Sequence, residues 1–350
     1  MASIKPHYRP ELDGIRGLSI LAVLGLHTGL PFMRGGGLGV TVFFVLSGYL
    51  ITSTLLKEQA TQGRISLSGF YLRRALRLFP ALFALLAVSA LCACFWQDPT
   101  ARAETYRFVL YTLCYAANWA RSYGIGHAWL GHCWSLAIEE QFYLLWPPLL
   151  VLLGKKLTTR SLLYVLLGLI GLIIINRAVL WHGPDSFARV YNGLDTRGDA
   201  LLIGCALGLL HRRGYRPAGT RLAVCCAALL TGIVLFGEYL PGAVMLKWGG
   251  ETMAALASAV VISTATVRPP AWLCRPWLVW VGRLSYSLYL WHLPAVYLLG
   301  WPPGWHEWQL IPLRLALSFV LAGASYYFIE LPFLRRKNRT HRVPSAQSAL

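Results

Sequence analysis

The first long apolar run of the chain encloses two ionisable side chains, and this feature most constrains the fold. Arg16 and His27 are separated by ten uncharged residues, GLSILAVLGL. Placing an arginine at membrane depth costs at least about 2.5 kcal/mol, so such residues usually serve a function. Eleven residues of helix rise about 16 Å, roughly half of a hydrocarbon core. The pattern therefore predicts one helix with an arginine near one side of the bilayer and a histidine near the other.

The composition of the chain excludes an ordinary soluble protein. Its 350 residues are 56% hydrophobic and only 13% charged, whereas soluble proteins carry about 25% charged residues. Repeated apolar runs of about 20 residues predict an all-α, polytopic membrane bundle with about ten transmembrane helices. We predict a membrane domain over residues 1–335 and a short, basic, disordered cytoplasmic tail over 336–350. The predicted spans lie near residues 13–31, 39–56, 76–96, 136–154, 161–181, 193–211, 220–237, 251–267, 279–299 and 311–331.

The basic residues indicate how the chain crosses the bilayer. The formal net charge is +18, but the charges lie in short loops between apolar runs. The positive-inside rule explains this distribution, so we expect the lipid bilayer as a partner, no nucleic acid, and both termini in the cytoplasm. The apolar segment 108–120 is short for a span, and a crossing there would place Lys155, Lys156 and Arg160 outside. We expect that segment to be interfacial or re-entrant.

Several arginines are expected together on the cytoplasmic side. Arg73 and Arg77 are four residues apart, and Arg74 lies three residues before Arg77, so one helix face presents them together. With Arg16 they would form a site for a polyphosphate, because guanidinium groups bind phosphate through paired, charge-assisted hydrogen bonds. Alternatively, the arginines of 73–77 merely extend to the lipid headgroups. The depth of Arg16 favours a binding site.

A histidine and two carboxylates are expected on the outer side. Glu139 and Glu140 fall in the first turns of the predicted fourth span, at about the depth of His27. A histidine beside a carboxylate is typical of a general base whose partner holds its tautomer and its cationic form. The alternatives are a packing histidine and a proton relay in a transporter. The shared depth favours catalysis by His27 with Glu139 or Glu140.

Two further groups of polar residues have weaker interpretations. Asp195, Arg197 and Asp199 open the predicted sixth span in the sequence DTRGD, where they either bind a polar acceptor or pair among themselves. His292 lies near the middle of the ninth span, and we expect it to be a packing histidine bonded to a backbone carbonyl. Glu330 ends the tenth span and is expected to pair with a base of the tail such as Arg335.

The cysteines do not indicate a metal site. Most of the eight cysteines lie in or beside spans and are expected to be packing residues. Cys114 and Cys133 are the two that could both face outside, so a disulfide between them is an open alternative. Because no metal-ligand spacing occurs, we expect no metal.

Taken in order, these motifs resemble the membrane acyltransferase-3 family, the multi-pass O-acyltransferases of bacteria. The likeness spans nearly the whole chain. The Arg-x10-His pattern of the family matches at Arg16 and His27, and its Arg-x-x-Arg element matches at Arg74 and Arg77. The matching segments are ELDGIRGLSILAVLGLH at 11–27, GVTVFFVLSGYLIT at 39–52, FYLRRALRLFPAL at 70–82, WSLAIEEQFYLLWP at 134–147, DTRGDALLIG at 195–204, GRLSYSLYLWHLP at 282–294 and YYFIELPFLR at 326–335.

The resemblance implies transfer of an acyl group, usually acetyl, from cytoplasmic acetyl-CoA to a carbohydrate hydroxyl. The inner arginines would hold the CoA phosphates, and the pantetheine arm would reach from Arg16 toward His27. His27 would take the proton of the acceptor hydroxyl, while Glu139 or Glu140 orients and stabilises the imidazole. A transient acyl-histidine is an open alternative. Some members carry an extra extracytoplasmic domain, and we expect none here. We expect the membrane domain to act alone or with a partner protein in glycan assembly.

We therefore predict an O-acetyltransferase of the cell inner (plasma) membrane that modifies a cell-surface or exported glycan. One alternative is acylation of a small secondary metabolite such as a macrolide. Another is a proton-coupled glycan exporter that uses His27 and Glu139 as a relay. Transporters are often built from two repeated halves, and the sequence contains no convincing internal repeat, which counts against the exporter.

Overall fold

The computed structural model describes residues 8–127, 129–215, 219–300 and 305–335, and the backbone of 336–340. The described residues form helices joined by short loops and contain no β-strand. The α-helices, in chain order, are α1 Pro10–Thr28, α2 Leu38–Gln62, α3 Leu67–Cys94, α4 Pro99–Leu113, α5 Ala117–Ser122, α6 Cys133–Lys156, α7 Thr159–Leu180, α8 Phe187–Asn192, α9 Leu194–Arg197, α10 Asp199–Arg212, α11 Thr220–Phe236, α12 Gly242–Met245, α13 Gly250–Val267, α14 Pro276–Leu299, α15 Glu307–Ala324 and α16 Leu331–Thr340. A π-helical turn at Ser325–Glu330 joins α15 to α16.

The structure confirms an all-α protein over the described residues and supports a multi-pass membrane protein. Each predicted span overlaps a helix, and 7 helical segments are long and apolar enough to cross a membrane: α2, α3, α6, α7, α13, Thr220–Tyr239 and Glu307–Arg335. The other predicted spans correspond to α1, α10 and α14. The number of ten spans and the cytoplasmic placement of both termini stay predictions.

Helices α1, α10 and α14 are too short or too polar to count among the membrane-compatible helices. Helix α1 carries Glu11, Asp13 and Arg16 within its first two turns. Helix α10 has only 14 residues, fewer than the roughly 20 that a bilayer requires. Helix α14 has 24 residues, but Arg283, His292 and several Tyr and Trp side chains lower its hydropathy.

Glycines let the helices that carry the candidate site approach each other closely. Helix α1 packs along α14, where a Cβ atom at Gly282 would lie 1.8 Å from the backbone oxygen of Asp13. Helix α2 packs along α10, where a Cβ atom at Gly48 would lie 2.0 Å from the backbone oxygen of Leu201. Small residues at such crossings allow backbones in a membrane protein to come into contact. These two contacts place α1 and α2 in the centre of the bundle.

The outer helices present apolar side chains to the surroundings. No side chain of α11 is buried, and α7 buries few. Leu167, Leu172, Val224 and Leu229 are all exposed. An apolar exterior of this kind suits lipid rather than water as the solvent.

The segment 108–120 does not form one continuous helix. Helix α4 ends at Leu113, Tyr115 has a φ of 51°, and the six-residue α5 follows. A left-handed conformation at a tyrosine breaks a helix. The segment therefore folds as two short pieces, one packed on α3 and the other on α6 and α8, and its interfacial or re-entrant placement stays a prediction.

The last helix extends into the predicted tail. Helix α16 continues to Thr340, and the disordered cytoplasmic tail stays a prediction. Residues 341–350 lie outside the described part of the chain.

Candidate functional site

Two adjoining cavities contain the candidate residues. The arginine cavity, of about 950 Å³, is lined by Arg16, Arg73, Arg74, Arg77 and Glu139, among others. The histidine cavity, of about 370 Å³, is lined by His27, His132, Trp134, Tyr191 and Glu251, among others. Both volumes fall within the range of small-molecule sites, about 300–1,000 Å³. Tyr289 and Val40 are the two described residues that line both cavities.

The four arginines that spacing grouped together do line one cavity, but they are not equally available. Arg73 forms an ion pair with Glu58, with 3.0 Å between Nη2 and Oε2. The guanidinium of Arg74 lies 3.8 Å from the centre of the Tyr143 ring, a cation–π contact. Among the described residues, Arg77 makes no hydrogen bond or ion pair. It is the arginine of the third helix with most freedom to bind an anion.

Arg9 and Lys57 add positive charge to the same cavity, and sequence analysis did not identify them as site residues. Arg9 donates a hydrogen bond of 3.2 Å from Nη1 to the hydroxyl of Tyr49. The carboxylates that line the cavity are Asp13 and Glu139. Cations therefore outnumber carboxylates, which favours a ligand with several negative charges.

The entrance of α1 ties Arg16 to a small polar network. Arg16 faces Asp13 at 3.8 Å, and Asp13 accepts a hydrogen bond of 2.7 Å from the hydroxyl of Tyr8. Arg283 donates to the same hydroxyl at 2.9 Å from Nη2. Burial and the hydrogen bond to Asp13 raise the pKa of Tyr8 against the opposing effect of Arg283, so the hydroxyl stays protonated and donates. Asp13 therefore interacts with both Tyr8 and Arg16, and its ion pair with Arg16 is long.

Glu139 and His27 line different cavities, and the catalytic role of Glu139 and Glu140 stays a prediction. Glu139 lines the arginine cavity and accepts a hydrogen bond from Ser47. Arg74 lines the same cavity as Glu139. Helix α6 begins at Cys133, so Glu139 falls in its second turn.

The geometry of His27 suits a base. Its Nδ1 atom lies 2.9 Å from the backbone oxygen of Val23. Because a carbonyl oxygen only accepts, Nδ1 of the neutral ring carries the proton and Nε2 keeps the lone pair. Within the described part of the chain, Nε2 makes no hydrogen bond. The ring is half-buried and lines the histidine cavity, so a helix backbone performs the orienting role that was expected of a carboxylate.

Two further histidines surround His27, and sequence reasoning missed this cluster. The rings of His27 and His292 have centroids 4.9 Å apart, and those of His292 and His132 are 5.0 Å apart. His292 bonds through Nδ1 to the backbone oxygen of Tyr289 at 2.7 Å, as expected for a packing histidine. Its Nε2 atom is buried without a partner among the described residues. Only the packing of α1, α6 and α14 brings the three rings together, and no local spacing signals it.

Tyr289 forms the wall between the two cavities. Its hydroxyl donates to the backbone oxygen of His132 at 2.9 Å and lies 2.6 Å from the hydroxyl of Ser135. Both partners belong to the start of α6. The side chain is held firmly by these two bonds and by burial in the core.

The DTRGD residues pair, but not among themselves as expected. Asp195 forms an ion pair of 2.6 Å with Arg189, and Asp199 forms one of 3.0 Å with the fully buried Arg177. Arg197 forms an ion pair of 2.8 Å with Glu251, which lines the histidine cavity. None of Asp195, Arg197 and Asp199 lines either cavity. The motif therefore supports the wall of the histidine cavity, and direct binding of an acceptor by these residues stays untested.

The contacts of Glu330 and the state of two cysteines differ from what the sequence suggested. Glu330 is buried and accepts a hydrogen bond of 2.9 Å from Ser287, whereas pairing with Arg335 was expected. The π-helical turn at Ser325–Glu330 directs it inward. Cys114 and Cys133 are both free thiols, so the open alternative of a disulfide between them is wrong.

Known proteins resemble this chain over nearly its full length. The family model described as an acyltransferase domain matches residues 9–330. A peptidoglycan O-acetyltransferase of Listeria monocytogenes, OatA, is 34% identical, covering 95% of this chain and 56% of the relative. A putative peptidoglycan O-acetyltransferase of Bacillus subtilis, YrhL, is 32% identical, covering 93% and 55%. A putative O-acetyltransferase of Staphylococcus aureus is 32% identical, covering 94% and 58%.

The chain spans about half the length of the curated relatives that it matches. No solved structure matches it. The family match and the relatives nevertheless cover both cavities and all the helices around them, so the chain belongs to the membrane acyltransferase-3 family.

Proposed function

We propose that the protein is an O-acetyltransferase that moves an acetyl group from acetyl-CoA to a hydroxyl of a cell-surface or exported glycan. The family assignment supports acyl transfer, and the activities for which the relatives are named support O-acetylation of a glycan such as peptidoglycan. The membrane would be the inner (plasma) membrane, where a cytoplasmic donor and an exported acceptor meet.

The observation that carries the proposal is the position of Arg16 and His27. They lie on one helix, yet Arg16 lines the arginine cavity and His27 lines the histidine cavity. The rise between them is about 16 Å. A donor with a charged head and a long, neutral arm that ends in the reactive group fits this arrangement. CoA thioesters have that shape.

The arginine cavity would hold the phosphates of CoA. Arg16, Arg74 and Arg77 supply guanidinium groups for paired hydrogen bonds to phosphate oxygens. Arg73 already pairs with Glu58 and would add charge more than direct contacts. No metal ion is needed for this interaction, since the arginines themselves neutralise the phosphates.

The histidine cavity would hold the acceptor hydroxyl. His27 Nε2 takes the hydroxyl proton as the oxygen attacks the thioester carbonyl and the carbonyl π bond opens. When the carbonyl re-forms, the carbon–sulfur bond breaks and the thiolate takes the proton back from His27. The products are an ester and free CoA, and the histidine returns to its starting state. The bond from Nδ1 to Val23 keeps Nε2 as the basic nitrogen throughout.

Glu139 and Glu140 have a different role in this proposal from the one expected. Arg74 and Glu139 line the same cavity. The two carboxylates would position Arg74 and lower the net positive charge of the arginine cavity. His27 would act without a carboxylate partner. A transient acyl group on His27 is the variant of the mechanism that the geometry also accommodates.

Label transfer tests the function directly. Membranes with the wild-type protein, His27→Ala or His182→Ala receive radiolabelled acetyl-CoA in the presence of host glycans. His182 is exposed and lines neither cavity, so it is the matched control. We expect label in the glycan fraction with the wild type and with His182→Ala, and none with His27→Ala at equal protein level.

Three results would contradict the proposal. Undiminished labelling with His27→Ala would exclude His27 as the base. Movement of glycan across the membrane without any acetyl label would favour the exporter. Label that reaches only a small organic-soluble metabolite would favour a secondary metabolite as acceptor.

A further inference from the structure

Arg121 is a cation in the histidine cavity. It has no role in the proposed reaction. It lies near the end of α5, is half-buried and lines the cavity beside His27. His132 lines the same cavity. The Arg121 guanidinium makes no hydrogen bond or ion pair with any described residue. A partly buried charge without a partner is costly, so the position calls for a ligand.

The backbone makes room for this guanidinium. Gly131 lies in the turn before α6, and a Cβ atom there would lie 2.5 Å from Nη1 of Arg121. Any other residue at 131 would push the guanidinium aside. The absence of a side chain at Gly131 and the end of α5 together hold Arg121 against the cavity.

The other charges of the cavity are already neutralised. Glu251 pairs with Arg197 at 2.8 Å and accepts a hydrogen bond of 2.7 Å from Thr41. Arg34 is 73% exposed and pairs with Glu238 at 3.0 Å. Within the described lining, Arg121 therefore remains as the uncompensated charge, and it is positive.

The donor does not supply the missing anion. The phosphates of the proposed donor belong to the arginine cavity, on the far side of Tyr289 and Val40. The part of a CoA thioester that would reach His27 is neutral. An anion beside Arg121 would therefore have to come from the acceptor.

An aromatic wall lies in the same cavity. The rings of Trp134 and Tyr191 have centroids 4.9 Å apart, and those of Tyr191 and Phe187 are 5.1 Å apart and nearly parallel. Flat aromatic faces with one convergent cation suit a ligand that has both an apolar ring face and an anionic substituent. A sugar ring that carries a carboxylate or a phosphate has both.

We infer that Arg121 binds an anionic group, a carboxylate or a phosphate, on the acceptor whose hydroxyl faces His27. This inference rests on the proposed function, because it names the class of acceptor for the same reaction. Arginine binds either anion through two parallel hydrogen bonds, which lysine cannot reproduce. Arg121 is then a specificity-determining residue and not a group that acts on the reacting atoms.

A binding titration without any acyl donor tests the inference independently of catalysis. The full chain in lipid nanodiscs is titrated with glucose, glucuronate and glucose 6-phosphate, which differ only at the sixth carbon. The proteins compared are the wild type, Arg121→Gln, Arg121→Lys and the control Arg107→Gln. Arg107 is exposed on α4 and lines neither cavity.

We expect the wild type and the control to bind at least one anionic sugar 10-fold or more tightly than glucose. Arg121→Gln should reduce this ratio of dissociation constants to about one, and Arg121→Lys should give an intermediate ratio. A preference for glucuronate assigns the anion as a carboxylate, and a preference for glucose 6-phosphate assigns it as a phosphate. Equal affinity of the wild type for all three sugars, or an unchanged ratio in Arg121→Gln, would overturn the inference.

A transfer assay with the same proteins separates this inference from the proposed function. We expect Arg121→Gln to raise KM for the preferred anionic acceptor and to change kcat little. A loss of kcat with every acceptor would overturn the inference by assigning Arg121 to the reacting atoms. If the sugars bind as expected while no acetyl is ever transferred, the proposed function fails and the anion site stands.

Discussion

The imidazole rings of His27 and His292 lie with their centroids 4.9 Å apart and their planes inclined by 60°. Helix α14 thereby supports the ring that α1 presents to the cavity. Each ring bonds through Nδ1 to a backbone carbonyl of its own helix, so both present Nε2 away from that helix. The cluster is held by backbone atoms and by packing, which makes its geometry sensitive to neighbouring side chains.

Replacing His292 with alanine should slow transfer without abolishing it. The change opens a space beside His27 and loosens the ring, and a misplacement near 1 Å costs up to about 100-fold in rate. We expect kcat to fall roughly 10-fold, less than in His27→Ala. Steady-state rates at saturating donor and acceptor measure this, with His182→Ala as the control. A rate equal to that of the wild type would show that His292 does not position His27.

Removing Arg77 should weaken CoA binding more than removing Arg73. Arg73 forms an ion pair with Glu58, whereas Arg77 makes no hydrogen bond or ion pair with a described residue. A charge-assisted hydrogen bond contributes about 1.5–3 kcal/mol, and partial exposure reduces that effect. We expect the Kd of CoA to rise about 10-fold in Arg77→Ala and less in Arg73→Ala, as measured by equilibrium binding. The control is the exposed Arg160→Ala, and the reverse order would contradict the assignment.

Replacing Gly282 with alanine should destabilise the protein by separating α1 from α14. The new Cβ atom would lie 1.8 Å from the backbone oxygen of Asp13, so one helix must move. Overpacking of this kind costs about 1–3 kcal/mol. The matched control is Gly168→Ala on α7, where a Cβ atom meets nothing within 4 Å and helix propensity improves. Thermal unfolding in detergent distinguishes the two, and equal melting temperatures would contradict the close contact.

The two aspartates of DTRGD should differ strongly in their effect on stability. Asp199→Asn leaves Arg177 buried with an uncompensated charge, which costs about 3–5 kcal/mol. Asp195 is 40% exposed and its partner Arg189 is 25% exposed, so Asp195→Asn should cost about 1 kcal/mol or less. Denaturant unfolding of the two variants measures the difference. Equal losses of unfolding free energy in the two variants would show that burial of the Arg177–Asp199 ion pair does not increase its effect on stability.

Local patterns in the sequence were enough to predict the helical membrane class, the approximate position of each span, and the family. Apolar runs of about 20 residues and ordered motifs specify these features locally. The spacing of Arg73, Arg74 and Arg77 also predicted a shared face, because residues three and four apart are neighbours on a helix.

Contacts between residues of different helices came from the tertiary structure. It placed Glu139 in the arginine cavity, whereas His27 lines the histidine cavity. It brought His132, His292 and Arg121 to His27 from three other helical segments. It also paired Asp199 with Arg177 and turned Glu330 inward. Such contacts depend on helix register and on close crossings at glycines such as Gly282, and neither property can be read from one segment alone.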